Sequence, residues 1–475
     1  MQTNRRNFLK LSGAASIGML GGCQPQNAGQ SSSEALTHIR REAMQSSAAL
    51  FNMSGYAAPP IDVVRIGIVG MGSRGSGAVT RLSYIEGVEL KAFCDVVTEK
   101  AEAARERIRT SGHNPIIYGG SEEAWMDLCR RDDIDLIYIT TPWSLHAPIA
   151  LYAMEQGKHV ATEIPAATSV SDCWKLVETS ERTRKHCVML ENCCYDFFEL
   201  LTLNLARNGF FGEIIHCEGA YIHDIGESLF FRGKPDRSWR LQENMSRNGS
   251  LYPTHGLGPV AQIMNINRGN RMEYLVSVST NDFMMKEHAK RLAADDEYFR
   301  QFTQATFRGN MNTTTIKTVR GQTILIQHDV TSPRPYSRIH LVSGTLATAQ
   351  KYPLPGKIAT DHRGWIQDDA MVQLEKEYNP EIVKRMRSMA ETVGGHGGMD
   401  FLMDWRLIDC LRNGLPVDMD VYDAAAWSVV APLSEWSVAN RSAPIDIPDF
   451  THGNWENNTP HDIELAAGGT TGVRL

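Results

Sequence analysis

RIGIVGMGSRG at 65 to 75 decides the fold, because it runs an apolar strand into a glycine-rich turn. Val63 to Val69 is a β-type stretch, and from Gly75 to about Tyr84 the pattern is helical. Strand, glycine turn, helix is the order that a dinucleotide site requires. Gly70 permits the tight turn, Gly72 lets the backbone approach a pyrophosphate, and Gly75 allows close packing of helix on strand. The helix N-terminus adds unpaired N–H groups for the anion. The next strand, VELKAFCDV at 88 to 96, carries Asp95, 20 residues past Gly75, where a carboxylate can accept the ribose hydroxyls. An acid there favours NAD, while Arg74 leaves NADP open.

Outward from that turn, strands alternate with amphipathic stretches. VVRIGIVG, VELKAFCD, DLIYITTP, HVATEIP and CVMLEN read as strands of a doubly wound parallel sheet, an NAD-binding domain over 61–194. After about Tyr195 the pattern changes. EIIHCEGAYIHD, MEYLVSVSTND, TTTIKTVRGQTILIQHDVTS and SRIHLVSGTLATAQ alternate as longer, half-exposed strands, which predicts an α+β domain over 195–420 built on a large, mostly antiparallel sheet. FLMDWRLIDCLRNG and YDAAAWSVVAPLSEWSVAN read as helices at the junction, with a segment over 421–475 packing back there. An open sheet of that size admits a homo-oligomer.

At 475 residues the chain exceeds one hydrophobic core, in keeping with two domains. A net charge of −7 with 22% charged residues offers no basic face for nucleic acid, so a small molecule or glycan is the expected partner. The N-terminus is an address. Arg5 and Arg6 followed by Phe8, Leu9 and Lys10, then a short apolar stretch, resemble a twin-arginine signal, the export route for folded cargo. Leu20-Gly21-Gly22-Cys23 resembles a lipoprotein box, making Cys23 the lipidation site, with 24–33 as tether and the periplasm or cell envelope as destination. Folding before export suits a chain that must acquire its cofactor in the cytoplasm. The nine cysteines show no metal-ligand spacing and most read as reduced core residues; Cys193 and Cys194, taken as strand neighbours, would point to opposite faces. No metal is expected.

Two strand ends lie where open α/β sheets bind ligands: Thr140-Thr141-Pro142, with His146 shortly after, and Glu163-Ile164-Pro165. With the glycine turn they resemble the Gfo/Idh/MocA oxidoreductases, whose usual E-K-P carries a lysine near the nicotinamide. Ile164 stands in that place, which counts against ordinary sugar-alcohol dehydrogenation. ENCCY at 191–195, SWR at 238–240, LYPTHGLGPV at 251–260, SPRPYSR at 332–338 and GGHGGMDF at 394–401 together resemble glycoside hydrolase family 109, the NAD-dependent α-N-acetylgalactosaminidases. By their own residues, His255 sits between Pro253 and two glycines, an irregular turn that presents its imidazole, and Tyr195 follows a strand end on the cofactor side. His396, between glycines, reads equally as ligand contact or loop residue.

The resemblance implies cofactor contacts at Met71, Gly72, Ser73, Arg74, Gly75, Asp95, Thr140, Trp143, His146, Glu163 and Asn192. It implies substrate contacts at Tyr195, Arg240, Tyr252, His255 and Tyr336, with Tyr195 taking the C2 proton and His255 serving the 3-hydroxyl, the two roles open to exchange. It also implies a tightly held NAD, regenerated each turn: oxidation at C3 acidifies C2, elimination expels the aglycone, water adds, and reduction restores the sugar. The alternatives are a periplasmic NAD(P)-dependent sugar oxidoreductase and a non-catalytic sugar-binding lipoprotein.

Overall fold

The computed structural model describes residues 38–45, 48–232 and 238–474. The twin-arginine pair, the lipobox with Cys23 and the tether lie outside the described residues. No described helix is long and apolar enough to cross a membrane.

Six strands form a wholly parallel sheet: β1 (Val64–Val69), β2 (Val88–Asp95), β3 (Ile116–Gly119), β4 (Leu136–Ile139), β5 (His159–Thr162) and β6 (Cys187–Met189). Their order is β3-β2-β1-β4-β5-β6. The chain reverses its winding between β1 and β4, and the crevice at that switch point is where such sheets take ligands. Burial follows from the crossover helices: Ile66 and Ile68 of β1 and Ile137 and Ile139 of β4 are inaccessible to solvent. The sheet is one strand wider than the periodicity suggests. IIYG at 116–119 is an edge strand with an exposed Ile116 and no fully buried residue, so it lacks the buried apolar run by which the inner strands were read.

The second sheet has eight strands: β7 (Ile214–Ile222), β8 (Met272–Ser279), β9 (Asn312–Thr318), β10 (Thr323–Asp329), β11 (Leu341–Gly344), β12 (Thr348–Gln350), β13 (Lys357–Ala359) and β14 (Ile445–Asp446). Their order is β13-β12-β11-β7-β10-β9-β8-β14, antiparallel except where β10 pairs with β7. Alternation along β9 and β10 buries Ile316, Ile324 and Ile326 on the face covered by helices, leaving Thr315 and Leu325 half exposed on the other.

The helix Met399–Asn413 lies against the glycine-turn helix Ser73–Ser83, and Val421–Ser428 packs on the helix Val170–Thr183. These two helices therefore close over the parallel sheet. A satellite core of Leu229, Phe230, Leu241, Met285, Phe299, Phe302 and Phe307 supports the segment that carries Trp239 and Arg240.

Candidate active site

The glycine turn is a cradle whose space can be measured. A Cβ at Gly70 would stand 2.7 Å from the Thr140 carbonyl oxygen, and one at Gly75 1.9 Å from that of Gly70, whereas Gly72 faces open space with nothing within 4 Å. Strand and helix are thus locked together while one backbone position stays open to a ligand, which fits a pyrophosphate at the helix N-terminus. Met71 N–H donates to Asp95 Oδ2 at 2.7 Å and Val97 N–H to Oδ1 at 2.9 Å, so Asp95 braces the turn from the end of β2. Thr140 Oγ1 donates to the Gly70 carbonyl at 2.5 Å. These residues fit NAD, which Gly72, Ser73 and Asp95 would hold at the phosphates and ribose.

At the neighbouring strand ends, Arg74 reaches Glu163 Oε1 at 2.6 Å and Asp400 Oδ2 at 3.0 Å. Asp400 also takes Asn192 Nδ2 at 2.5 Å and His396 Nδ1 at 2.8 Å. Burial alone would push the Asp400 carboxyl up; His396, Arg74 and Arg81 together hold it well below the usual range, and its place in the first turn of the helix Met399–Asn413 favours the same charge. Arg74, Glu163 and Asn192 are therefore brought together, with Asp400 and Arg81 as partners that linear reading missed. His396 opens the 3-10 turn His396–Gly398, its ring exposed and its backbone at φ +46°. His146 is buried, its two ring nitrogens 2.8 Å from the Pro165 and Thr141 carbonyls, so it joins the two strand-end loops from inside.

Beyond these loops lies a cluster of rings. Trp143 stacks on Tyr252, centroids 5.6 Å apart, and meets Trp239 edge-on at 5.0 Å. The Arg240 guanidinium sits over Trp239, Trp143 and Tyr252 at 5.1, 5.4 and 5.6 Å, a cation held on aromatic faces. Tyr221 of β7 stands at the centre, 4.8 Å from Tyr252, 5.4 Å from His255 and 6.4 Å from Tyr336 by ring centroids. Its hydroxyl lies 3.0 Å from His223 Nδ1. Burial raises the Tyr221 phenol and lowers the His223 imidazole, so both are neutral near pH 7.

Three expectations need correction. Tyr195 does not join this cluster: the turn Asn192–Tyr195 is a 3-10 helix that swings the phenol into the interior, where it donates to Asp418 Oδ2 at 3.0 Å beside Arg406. The phenols facing His255 are Tyr252, at 5.0 Å between ring centroids, and Tyr221, whose signal, alternation along β7, gives the strand but not the face. Cys193 and Cys194 lie on that same turn instead of a strand, and both are buried. His255 is the second residue of a regular helix, Thr254–Ile263, despite Gly256, Gly258 and Pro259. Packing overrides propensity there. A Cβ at Gly256 would stand 2.3 Å from the Ala220 nitrogen, and one at Gly219 2.2 Å from the Gly256 carbonyl oxygen, so helix and β7 touch backbone to backbone.

That contact carries His255 to the end of β6. Its Nδ1 is 2.7 Å from Glu191 Oε1, and Glu191, His255 and Cys193 offer donor atoms within 4.8 Å of one another, a grouping that spacing along the chain does not reveal. The eight described cysteines are all buried and free.

Two family descriptions match this chain: "Oxidoreductase family, NAD-binding Rossmann fold" over residues 64–191 and "Glycosyl hydrolase 109, C-terminal domain" over residues 195–457. An "Alpha-N-acetylgalactosaminidase" of Bacteroides fragilis is 48% identical over 409 residues, 85% of this chain and 95% of its own. A "Glycosyl hydrolase family 109 protein" of Shewanella pealeana is 44% identical over 470 residues, 98% of this chain and 99% of its own. Among solved structures, levoglucosan dehydrogenase in complex with NADH and levoglucosan has a TM-score of 0.61 at 16% identity, covering 81% of this chain and 100% of that one. Scyllo-inositol dehydrogenase of Lactobacillus casei, with bound NAD(H) and scyllo-inositol, has a TM-score of 0.57 at 14% identity, covering 81% and 99%. Those two likenesses are of fold.

Proposed function

The chain belongs to glycosyl hydrolase family 109, and from that premise we propose that it removes terminal α-N-acetylgalactosamine from glycans by an oxidation, elimination, water-addition and reduction cycle with no net redox change. The glycosidase class and the NAD-binding domain follow from the family; the sugar and the cycle are the proposal. One observation carries it: beside a dinucleotide cradle stands a cluster of proton-moving groups, His255 and Tyr221 with His223, while the strand-end acids beside them are already engaged. Glu163 is bound to Arg74 and Glu191 to His255, whereas direct hydrolysis needs two carboxylates facing each other across the sugar.

NAD, when bound, would supply the oxidation at C3 of the sugar and its later reversal. His255, with Nδ1 turned to Glu191, presents Nε2 to receive the proton of the C3 hydroxyl. A ketone at C3 acidifies the C2 proton. Tyr221 accepts that proton while passing its own to His223, 3.0 Å away, so neither a free phenolate nor a charged imidazole is needed beforehand. The C–H electron pair forms the C1–C2 double bond and expels the aglycone oxygen, water adds at C1, and the protons return to C2 and to the C3 oxygen. Arg240, Tyr252 and Tyr336 would hold the ring and its acetamido group.

Hydrolysis of p-nitrophenyl α-N-acetylgalactosaminide by the NAD-loaded protein in deuterated water tests the reading. Nitrophenol release with deuterium at C2 and no net NADH supports it. Release without C2 deuterium sinks the elimination, and NADH accumulating with free sugars points to a net oxidoreductase. Twin-arginine export and lipidation at Cys23 belong to the same proposal, for they would carry the enzyme, folded around NAD, to glycans outside the cytoplasm.

A further inference from the structure

We infer that Glu191 is a positioning residue for the proton transfer at the C3 hydroxyl: it selects the His255 tautomer and anchors that base to the sheet that carries the cofactor. The inference rests on the role just given to His255.

A carboxylate only accepts hydrogen bonds, so the 2.7 Å contact between Glu191 Oε1 and His255 Nδ1 puts a proton on Nδ1 and, in the neutral ring, leaves the lone pair on Nε2. The partner is buried and anchored through one oxygen, Oε1. Its side chain is 0% exposed, and Oε1 also accepts the Cys193 N–H at 3.1 Å. Across the interface, a Cβ at Gly258 would lie 2.9 Å from Glu191 Cγ, so the helix that carries His255 is cut away where Glu191 passes. Glu191 follows β6 of the parallel sheet, whereas His255 opens a helix packed on β7 of the second sheet. The bond therefore links the cofactor-bearing domain to the sugar-facing one through the base itself.

Other groups face the imidazole: Tyr221 from β7, Tyr252 from the preceding loop, Cys193 from the 3-10 turn, and His223 at the end of β7, which senses its charge. Among these only Glu191 is an acid in hydrogen-bond contact. Burial works to raise its carboxyl, and His255, Thr254 and the Cys193 amide more than offset this, so it stays ionised.

The test uses the full NAD-loaded chain as wild type, Glu191→Gln, His255→Asn and the double variant, with kcat, KM, the pH profile of kcat/KM and NAD binding measured for each. Glu191→Gln should lose about 100-fold in kcat, with KM within about threefold of wild type. Its pH profile of kcat/KM should differ from that of wild type, because the carboxylate that faces the base has become a neutral amide. The double variant should be no worse than His255→Asn, since the two act as one unit. An unmoved pH profile, or losses that multiply in the double variant, overturns the inference, as does activity lost to a chelator and restored by zinc. Should Glu191→Gln fail to fold, ring 15N shifts of wild-type His255, assigned against His255→Asn, decide the matter: an Nδ1–H tautomer supports the inference and an Nε2–H tautomer refutes it. Hydrolysis by wild type without C2 deuterium, with the Glu191 effects intact, would overturn the elimination cycle and leave the dyad standing.

Discussion

Gly256→Ala adds one methyl group at the contact that delivers His255 to the site. Its Cβ would stand 2.3 Å from the Ala220 nitrogen, 2.6 Å from the Gly219 carbonyl carbon and 3.0 Å from the Ala220 Cα. All three are backbone atoms of β7, hydrogen-bonded on one side to β10, so no flexible side chain can yield. Restoring an ordinary separation of about 3.4 Å from 2.3 Å requires the helix Thr254–Ile263 to lift by ~1 Å, an overpacking strain of ~1–3 kcal/mol. The same lift moves His255 by a similar distance, and a misplacement of ~1 Å can cost about 100-fold in rate. Gly256→Ala should therefore lower the thermal midpoint by several degrees and kcat by about two orders of magnitude, while NAD binding, read by quenching of intrinsic fluorescence, stays near wild type because the glycine turn is untouched. Circular dichroism melts and nitrophenyl-glycoside hydrolysis check both numbers. A variant with wild-type melting temperature and kcat would show that helix and strand do not depend on this contact, and the account of LYPTHGLGP would fall with it.

Gly72→Ala should do the reverse, since its Cβ meets nothing within 4 Å of the protein but intrudes on the open side of the cradle: melting is unchanged without cofactor, and NAD affinity falls at least tenfold by titration. Lys351→Met removes one of two cations from Glu199, whose carboxyl burial would raise but which Lys351 and Arg338 hold far below the usual range. A depressed carboxyl stabilises the fold above its unfolded pKa of ~4.3, and that contribution fades as pH falls toward the folded value. The variant should thus be less stable than wild type by about 3 kcal/mol at most at pH 7, with the gap narrowing below about pH 4 in denaturant titrations; a gap constant with pH would contradict the pairing.

How much was legible differs by kind of residue. The cradle was readable because its requirements are local: Gly70, Gly72 and Gly75 act through backbone geometry within one turn, and Asp95 follows at a separation set by one helix and one strand. Arg240, Tyr252, His255 and Tyr336 were singled out by family resemblance, and they do converge, yet nothing in their spacing predicts it. Tyr195 was misjudged because a strand end and a 3-10 turn look alike over four residues while pointing the side chain in opposite directions. Glu191 was overlooked for a related reason: it reads as one more acid after an apolar strand, and only the helix that lands on it, 64 residues later in the chain, gives it a partner.

Sequence alone determined the parallel sheet with its dinucleotide turn and the second, mostly antiparallel sheet, because period, glycine placement and strand ends are short-range properties of a chain. Only tertiary structure decided which phenols meet the imidazole, which carboxylate orients it and which charges Arg74 satisfies. Those choices depend on two backbones meeting at Gly219 and Gly256 and on the helix Met399–Asn413 closing over the glycine turn, contacts between segments far apart in sequence whose existence is settled by packing.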